Sequence, residues 1–211
     1  MGFFESLPDP PPLRPVRPRG GPSAPWTRPE HAIPAGVPVN LILIHTQDVA
    51  VTVHGLQAYE HGFEFTLRED YRMESIGGRT TMPGGSPPII GADGNLAPPS
   101  EQMMLQFGLL FADGRRGAIG RVAPAFQREA PPTGELWLAP GRSGGSPRRW
   151  DREFWVYPLP LEGPVTFIAS WLEHGVSEAR AQVEAALIRQ AAEHAAVLWP
   201  ENEPPPPAGT G

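Results

Sequence analysis

The sequence predicts a mainly β protein, an antiparallel β-sandwich of immunoglobulin-like type with one C-terminal α-helix and Pro/Gly-rich loops. Three observations predict it. Apolar residues alternate with polar ones at period two in several short runs: Val49, Val51 and Val53; Phe63, Phe65 and Leu67; Val165, Phe167, Ala169 and Trp171. That is the pattern of strands with one better-buried face. Gly, Pro, Asp and Asn clusters separate these runs, as the turns of a sandwich would. From Ser177 the apolar residues recur at helical spacing instead. A barrel is the rival architecture for the same strands.

Taken in order, residues 1–38 are a Pro-rich leader, ESLPDPPPLRPVRP and onward. Repeated Pro fixes φ and removes amide donors, so this stretch is expected to be largely disordered. PPPLRPVRP also has the form of a PxxP ligand for an aromatic groove. Trp26 is an exception within the leader, because a large apolar ring in a polar tail usually docks.

The sandwich domain is expected over 39–172. VNLILIHT puts Leu41 and Leu43 opposite Ile42 and Ile44, a strand covered on both faces. VAVTVHGLQAY and FEFTLRED follow as the rest of a three-stranded meander. Residues 74–100 form a long Pro/Gly excursion, longer than the roughly 12–15 residues usual for a loop. MLQFGLLF and RRGAIGRV read as strands joined at Asp113-Gly114. After a second Pro/Gly loop, ELWLA is a short strand, and PGRSGGSP leads to WDREFWVYPLPLEGPVTFIASW. There, EFWVY and VTFIASW read as a hairpin, with residues 154–157 covered on both sides.

Residues 173–200 are expected to hold a helix packed on the domain, with Val183, Leu187, Ala191, Ala195 and Leu198 on one face. Ser177 serves as N-cap, and abundant Ala favours helix. Pro200 stops it, and 201–211 are a solvated tail.

The segments PWTRPEHAIPAGVPVNLILIHTQDVAVTVHGLQAYEHGFEFTLR, LQFGLLFADGRR, WDREFWVYPLPLEGPVTFIASW and LWPE resemble an uncharacterised family of small proteins from high-GC Gram-positive bacteria. The resemblance covers about residues 25–201 and leaves out the loops. The family has no assigned activity, so the resemblance assigns no functional residues.

Composition excludes several chemistries. Among 211 residues, with a net charge of −6, all 17 basic residues are Arg. Without Lys there is no P-loop lysine and no Schiff-base lysine. Without Cys there are no disulfides, thiolate nucleophiles or cysteine-based zinc sites. No clustered basic field points to nucleic acid. Neither a signal-like start nor an 18-residue apolar run is present, so a cytoplasmic protein without a membrane span is expected.

Gly141-Arg142-Ser143-Gly144-Gly145 matches G-x-S-x-G, with Asp151 and His174 following in hydrolase order. The motif works at a strained strand-to-helix turn, and here loop and strand follow, so no catalytic residue is assigned. Of the 6 His, His45 and His54 flank one turn, but the set reads as solvent-facing rather than metal-binding. Asp93-Gly94-Asn95 and Asp113-Gly114 lack the distal Glu of a calcium loop and read as turns. No cofactor is expected. The group with the most promise is aromatic and basic: Trp137, Arg148, Arg149, Trp150, Trp155 and Tyr157. Trp155 and Tyr157 share a face opposite Phe154 and Val156. Either that face is an exposed recognition surface for an unknown protein partner, or the C-terminal helix covers it. The expected function is that of a non-enzymatic binding or interaction module, with a loop-based hydrolase or metal-dependent enzyme as the alternative.

Overall fold

The computed structural model describes residues 24, 26–72, 89–90, 96–97, 104–119, 135–146 and 148–199. The alternating segments form strands: β3 (Leu41–His45), β4 (Val49–Ala58), β5 (Phe63–Tyr71), β8 (Gln106–Phe111), β9 (Arg116–Ile119), β10 (Trp137–Ser146), β11 (Arg149–Tyr157), β12 (Pro164–Trp171) and β13 (Val176–Glu184). Short strands precede and interrupt them: β1 (Ala32–Ile33), β2 (Ala35–Gly36), β6 (Ile89–Ile90) and β7 (Leu96–Ala97). Helix α1 (Ala185–Ala192) and β14 (Ala196–Val197) end the described chain.

Two antiparallel sheets carry the fold. The larger has the order β10-β11-β5-β4, with β2 and β3 sharing the far edge of β4; the smaller has the order β13-β12-β8-β9. Gly55, at φ 63, sits where the β4–β5 register shifts, between the lengths of β4 that pair with β3 and β2. The left-handed conformation needed there is one that Gly adopts without a Cβ penalty. The sheets approach at their edges, β3 beside β13 and β9 beside β10. No ladder joins those edges among the described residues, so the architecture is a sandwich and not a closed barrel. Because β3, β4 and β5 lie consecutively in one sheet, the connectivity differs from the immunoglobulin split of ABED and CFG strands.

The inner faces meet in a layer of phenylalanines. Phe65 of the large sheet packs edge-on to Phe167 at 5.3 Å and tilted on Phe107 at 5.6 Å, both on the small sheet. Phe154 stacks on Phe107 at 5.4 Å, and Phe63 on Phe111 at 6.5 Å. Aliphatic residues extend the layer, including Val51, Val53, Leu67, Leu109 and Val165.

Four expectations need correction. EFWVY and VTFIASW are not a hairpin: β11 pairs with β10 and β5, whereas β12 pairs with β8 and β13. The intervening PLPLEGP crosses between the sheets; Pro158 and Pro160 have no amide to donate to a hairpin ladder. In β3, Ile42 is 68% exposed, because a register shift between Ile42 and Ile44 turns Leu43 and Ile44 inward together.

The helix expected over 173–200 is confined to Ala185–Ala192, which buries Ala185, Ile188 and Ala191. Before it, Val176–Glu184 is a strand at the edge of the small sheet, with Val165 opposite Val183 and Phe167 opposite Ala181. Glu178, Arg180, Gln182 and Glu184 alternate there with Ala179, Ala181 and Val183, a period-two pattern beneath the helix-favouring Ala. Nor is the leader a free tail up to residue 38. β2 pairs with β4, Val37 is buried, and β1 pairs with β14. Within 74–100, β6 and β7 form a two-stranded ribbon. The rest of that excursion, residues 1–23 and the tail 201–211 lie outside the described residues.

Phe65 is 1% exposed and meets four other aromatic rings, those of Phe63, Phe107, Phe154 and Phe167. Phe65→Ala is expected to cost about 3–5 kcal/mol of stability, read as a fall in urea midpoint. A cost below about 1 kcal/mol would contradict the aromatic layer as the centre of the core.

Candidate functional site

The aromatic and basic group does not form one cluster. Trp155 and Tyr157 lie on the outer face of the large sheet, with Trp137 directly opposite Tyr157. Arg149 shares that face, but at the far end of β11, where its Nε donates to Asp70 at 2.9 Å. Trp150 alternates to the inner side, opposite Glu69. Arg148 sits in the β10–β11 turn, where its carbonyl accepts from the Tyr71 amide at 2.9 Å.

Trp155 is buried, and what covers it is not the helix. Its indole Nε1–H donates to the carbonyl of Trp26 at 2.9 Å, and its ring meets Tyr59 edge-on at 5.4 Å. The ring packs close against Gly62, where a Cβ would come within 2.5 Å of it and 2.4 Å of the Val156 carbonyl. Gly62 is therefore what lets the indole sit down on the β4–β5 turn. Beside it, Arg28 donates from Nε to the Tyr59 hydroxyl at 3.1 Å and from Nη2 to Glu64 Oε1 at 3.0 Å. Tyr59 in turn donates to Glu64 at 2.9 Å. Burial raises the pKa of both Glu64 and Tyr59. Helix α1 packs instead on β4, β2 and β13.

The rest of this outer face is a ladder of opposite charges. Arg68 grips Asp151 with two nitrogens, at 2.7 and 3.2 Å, and Arg149 holds Asp70. The Arg68 hydrogen bond, partly opposed by burial, holds the Asp151 carboxyl below its ordinary pKa. His54 lies alongside; burial first, then the charge of Arg68, lowers its pKa. Its Nε2 is buried and has no hydrogen-bond partner among the described residues.

Inside one end of the sandwich is a polar group that residue-by-residue reading passed over. Glu69 is 2% exposed. It accepts from the Tyr71 hydroxyl at 2.5 Å and is ion-paired to Arg152, whose Nε finds no partner among the described residues. Trp171 meets the Tyr71 ring edge-on at 6.0 Å and His174 at 4.3 Å. The signal was there: continuing Phe63, Phe65, Leu67 puts Glu69 inward, and continuing Val156, Phe154 backward puts Arg152 inward.

The outer face of the small sheet has a different character. One cross-strand row runs Arg180, Ile168, Gly108, Ala118, a residue from each strand in turn. The neighbouring row runs Gln182, Thr166, Leu110, Arg116. With no side chain at Gly108 and only a methyl at Ala118, the sheet is dished into an open hollow of about 810 Å³. Arg116 has no ion-pair partner among the described residues, while Arg180 holds the exposed Glu178 at 2.7 Å.

The remaining candidates are placed as follows. Ser143 lies exposed on edge strand β10 opposite Arg152, not at a strand-to-helix turn. Asp151 lies on β11 of the large sheet, whereas His174 lies in the turn between β12 and β13 of the small one. His45 pairs with Ala50, so it does not face His54. Among the described residues no group of three or more His, Asp or Glu is arranged to hold a metal ion. Asp113 caps its own turn through the Arg115 amide at 3.0 Å, and Arg115 lowers its pKa; Asp93 is outside the described residues. Among the described residues no helix is long and apolar enough to cross a membrane. Compared with known proteins, the chain matches no family model, no curated protein and no solved structure.

Two outcomes follow from these geometries. A lowered His54 pKa means that the fold favours the neutral ring, so this contribution is complete above the ordinary value of 6.5 and is lost as pH falls through the depressed one. Between pH 7.5 and pH 5, His54→Gln is expected to lose less stability than the parent; an equal loss would remove His54 from the account. Arg152→Ala leaves the Glu69 carboxylate buried without its cation and is expected to cost about 3–5 kcal/mol. Glu69→Leu combined with Arg152→Met should recover most of that in urea unfolding, because the unpaired charge is then gone.

Proposed function

We propose that this chain is a non-enzymatic interaction module and that the hollow on the outer face of the small sheet is its recognition surface. The observation that carries the reading is the row Ile168, Gly108, Ala118. These positions face outward on a sheet whose other face is already the core, where an antiparallel sheet ordinarily presents polar residues. An apolar outward row rimmed by charged side chains is the form of a protein-contact surface. The groups with shifted pKa values do not line it: Glu64, Tyr59, His54 and Asp151 belong to the large-sheet side, and Asp113 sits in the β8–β9 turn outside the hollow. A site for acid–base chemistry would bring such groups together inside the hollow.

The occupant that fits is an extended segment of a protein partner, apolar where it crosses Gly108 and carrying a carboxylate where it passes Arg116. The small floor admits a close approach of backbone, and the Arg116 guanidinium, without an ion-pair partner among the described residues, supplies a point of charge recognition. The partner is read as protein and not nucleic acid, since the hollow places Glu178 beside its second arginine. A cytoplasmic setting is part of the same proposal.

The test is Ala118→Trp, which fills the hollow from an exposed position without disturbing the core. In cross-linking capture from the native cell, a partner bound by the parent chain should be reduced at least tenfold with the variant. Arg116→Glu should weaken capture of the same partner. An unchanged set of captured proteins, with both variants folded by circular dichroism, would refute this surface.

A further inference from the structure

The covering of Trp155 has a construction of its own. The receiving groups all belong to the sandwich: Tyr59 on the β4–β5 turn, Glu64 on β5 and Trp155 on β11. The covering groups come from residues 26–28, which lie before the first paired strand. The two sides are unequal. The Glu64 side chain is 15% exposed, whereas that of Arg28 is 51% exposed. The receptor is thus built and half-sunk in the sheet, and the ligand lies across it from outside.

What the receptor takes is narrowly defined. Glu64 Oε1 accepts from Nη2 of Arg28 at 3.0 Å, and Oε2 stands 2.7 Å from Nε as an ion pair. The Tyr59 hydroxyl accepts from the same Nε, and the guanidinium carbon stands 5.8 Å from the centre of the Tyr59 ring. A planar donor fork over an aromatic ring, anchored on a carboxylate, is the geometry of guanidinium recognition, and an ammonium cannot reproduce it. The other contact, from Trp155 Nε1–H, goes to a backbone carbonyl. The carbonyl belongs to a turn in which the Thr27 amide donates to the Ala24 carbonyl at 2.9 Å, so the covering segment is recognised by one arginine side chain and one peptide group.

We propose that Glu64, Tyr59 and Trp155 form a receptor for an arginine-bearing peptide turn, which the chain's own residues 26–28 occupy as a displaceable strap. Withdrawing the strap leaves a half-buried carboxylate without its cation and an indole N–H without its acceptor, both of which cost free energy until another segment replaces them. The receptor therefore demands an occupant with this chemistry. A partner segment presenting arginine competes for it with the covalently attached strap, whose advantage is its high effective concentration.

The test uses the full chain and a synthetic peptide of residues 22–31. In the parent chain the strap holds the socket, and added peptide should bind weakly. In Arg28→Ala the socket has lost its guanidinium, and the same peptide should bind at least tenfold more tightly, with a change in tryptophan fluorescence. A peptide carrying Arg28→Ala should bind that chain at least tenfold more weakly than the unaltered peptide. A second chain, Arg28→Lys, keeps the charge without the fork and should also bind the unaltered peptide more tightly than the parent. Equal affinity of the parent and both variant chains for the unaltered peptide, equal affinity of the two peptides, or no binding by either variant would overturn the proposal and leave the strap as a fixed structural clamp.

Discussion

The contact on which the rest depends is the layer of phenylalanine rings between the sheets. Phe65 touches Phe107, Phe154 and Phe167, and so joins strands from both sheets at one point. Offset and edge-on ring pairs of this kind contribute about 0.5–1.5 kcal/mol each beyond the area they bury. They also set direction. Once Phe65 and Phe154 face inward, the pleat sends Glu64, Thr66, Glu153 and Trp155 outward. The positions of the charge ladder, the strap socket and the outward row of the small sheet all follow from that choice of inner face.

The same alternation brings charge inside. Along β5 and β11 charged residues interrupt the inward row before Tyr71 and Trp150 end it, so Glu69 and Arg152 enter the sandwich together. Each is expensive to bury alone, and the pair is tolerable because the guanidinium and the Tyr71 hydroxyl both serve the carboxylate. A register slip of one residue would send Glu69 outward and Arg68 inward, away from this partner. The pair thereby favours one alignment of β5 against β11, whether or not it adds net stability.

Sequence periodicity revealed most of the strands and little of their pairing. Alternation identifies a buried face from neighbours two residues apart, which is how β4, β5, β8 and β12 were legible. It does not say which sheet a strand joins, since that is decided by residues distant in the chain; hence EFWVY and VTFIASW read locally as a hairpin although they pair in different sheets. At Val176–Glu184 two local signals conflicted. Ala favours helix by only a few tenths of a kcal/mol per residue over most alternatives, whereas pairing with β12 covers the flank of Val165 and Phe167. Burial won. In the candidate sites, Trp26 announced that part of the leader docks, but Arg28 meeting Glu64 across 36 residues left no periodic trace. The hollow was hidden for another reason: Gly108 and Ala118 matter through the side chains they lack, and apolar rows are normally credited to the core.

The two outer faces of the sandwich meet water in opposite ways, and that asymmetry is the strongest functional argument in the molecule. The large sheet covers its aromatic end with the strap and fills the remainder with direct cross-strand pairs, Arg149 to Asp70 and Arg68 to Asp151. Exposed pairs of this kind are worth little as stabilisation, roughly 0–1 kcal/mol each; their effect is to hold charge in fixed positions on a face that stays wet. The small sheet spends no such pairs on its middle row. Ile168 faces outward there between Gly108 and Arg180, and Ala118 is open to solvent at the edge. If solvation alone had shaped both faces, the middle row would be expected to carry the Thr, Gln and Arg of its neighbour. An apolar dish beside Arg116, which has no ion-pair partner among the described residues, is understandable when something covers it, as the turn carrying Trp26 and Arg28 covers Trp155 on the opposite face.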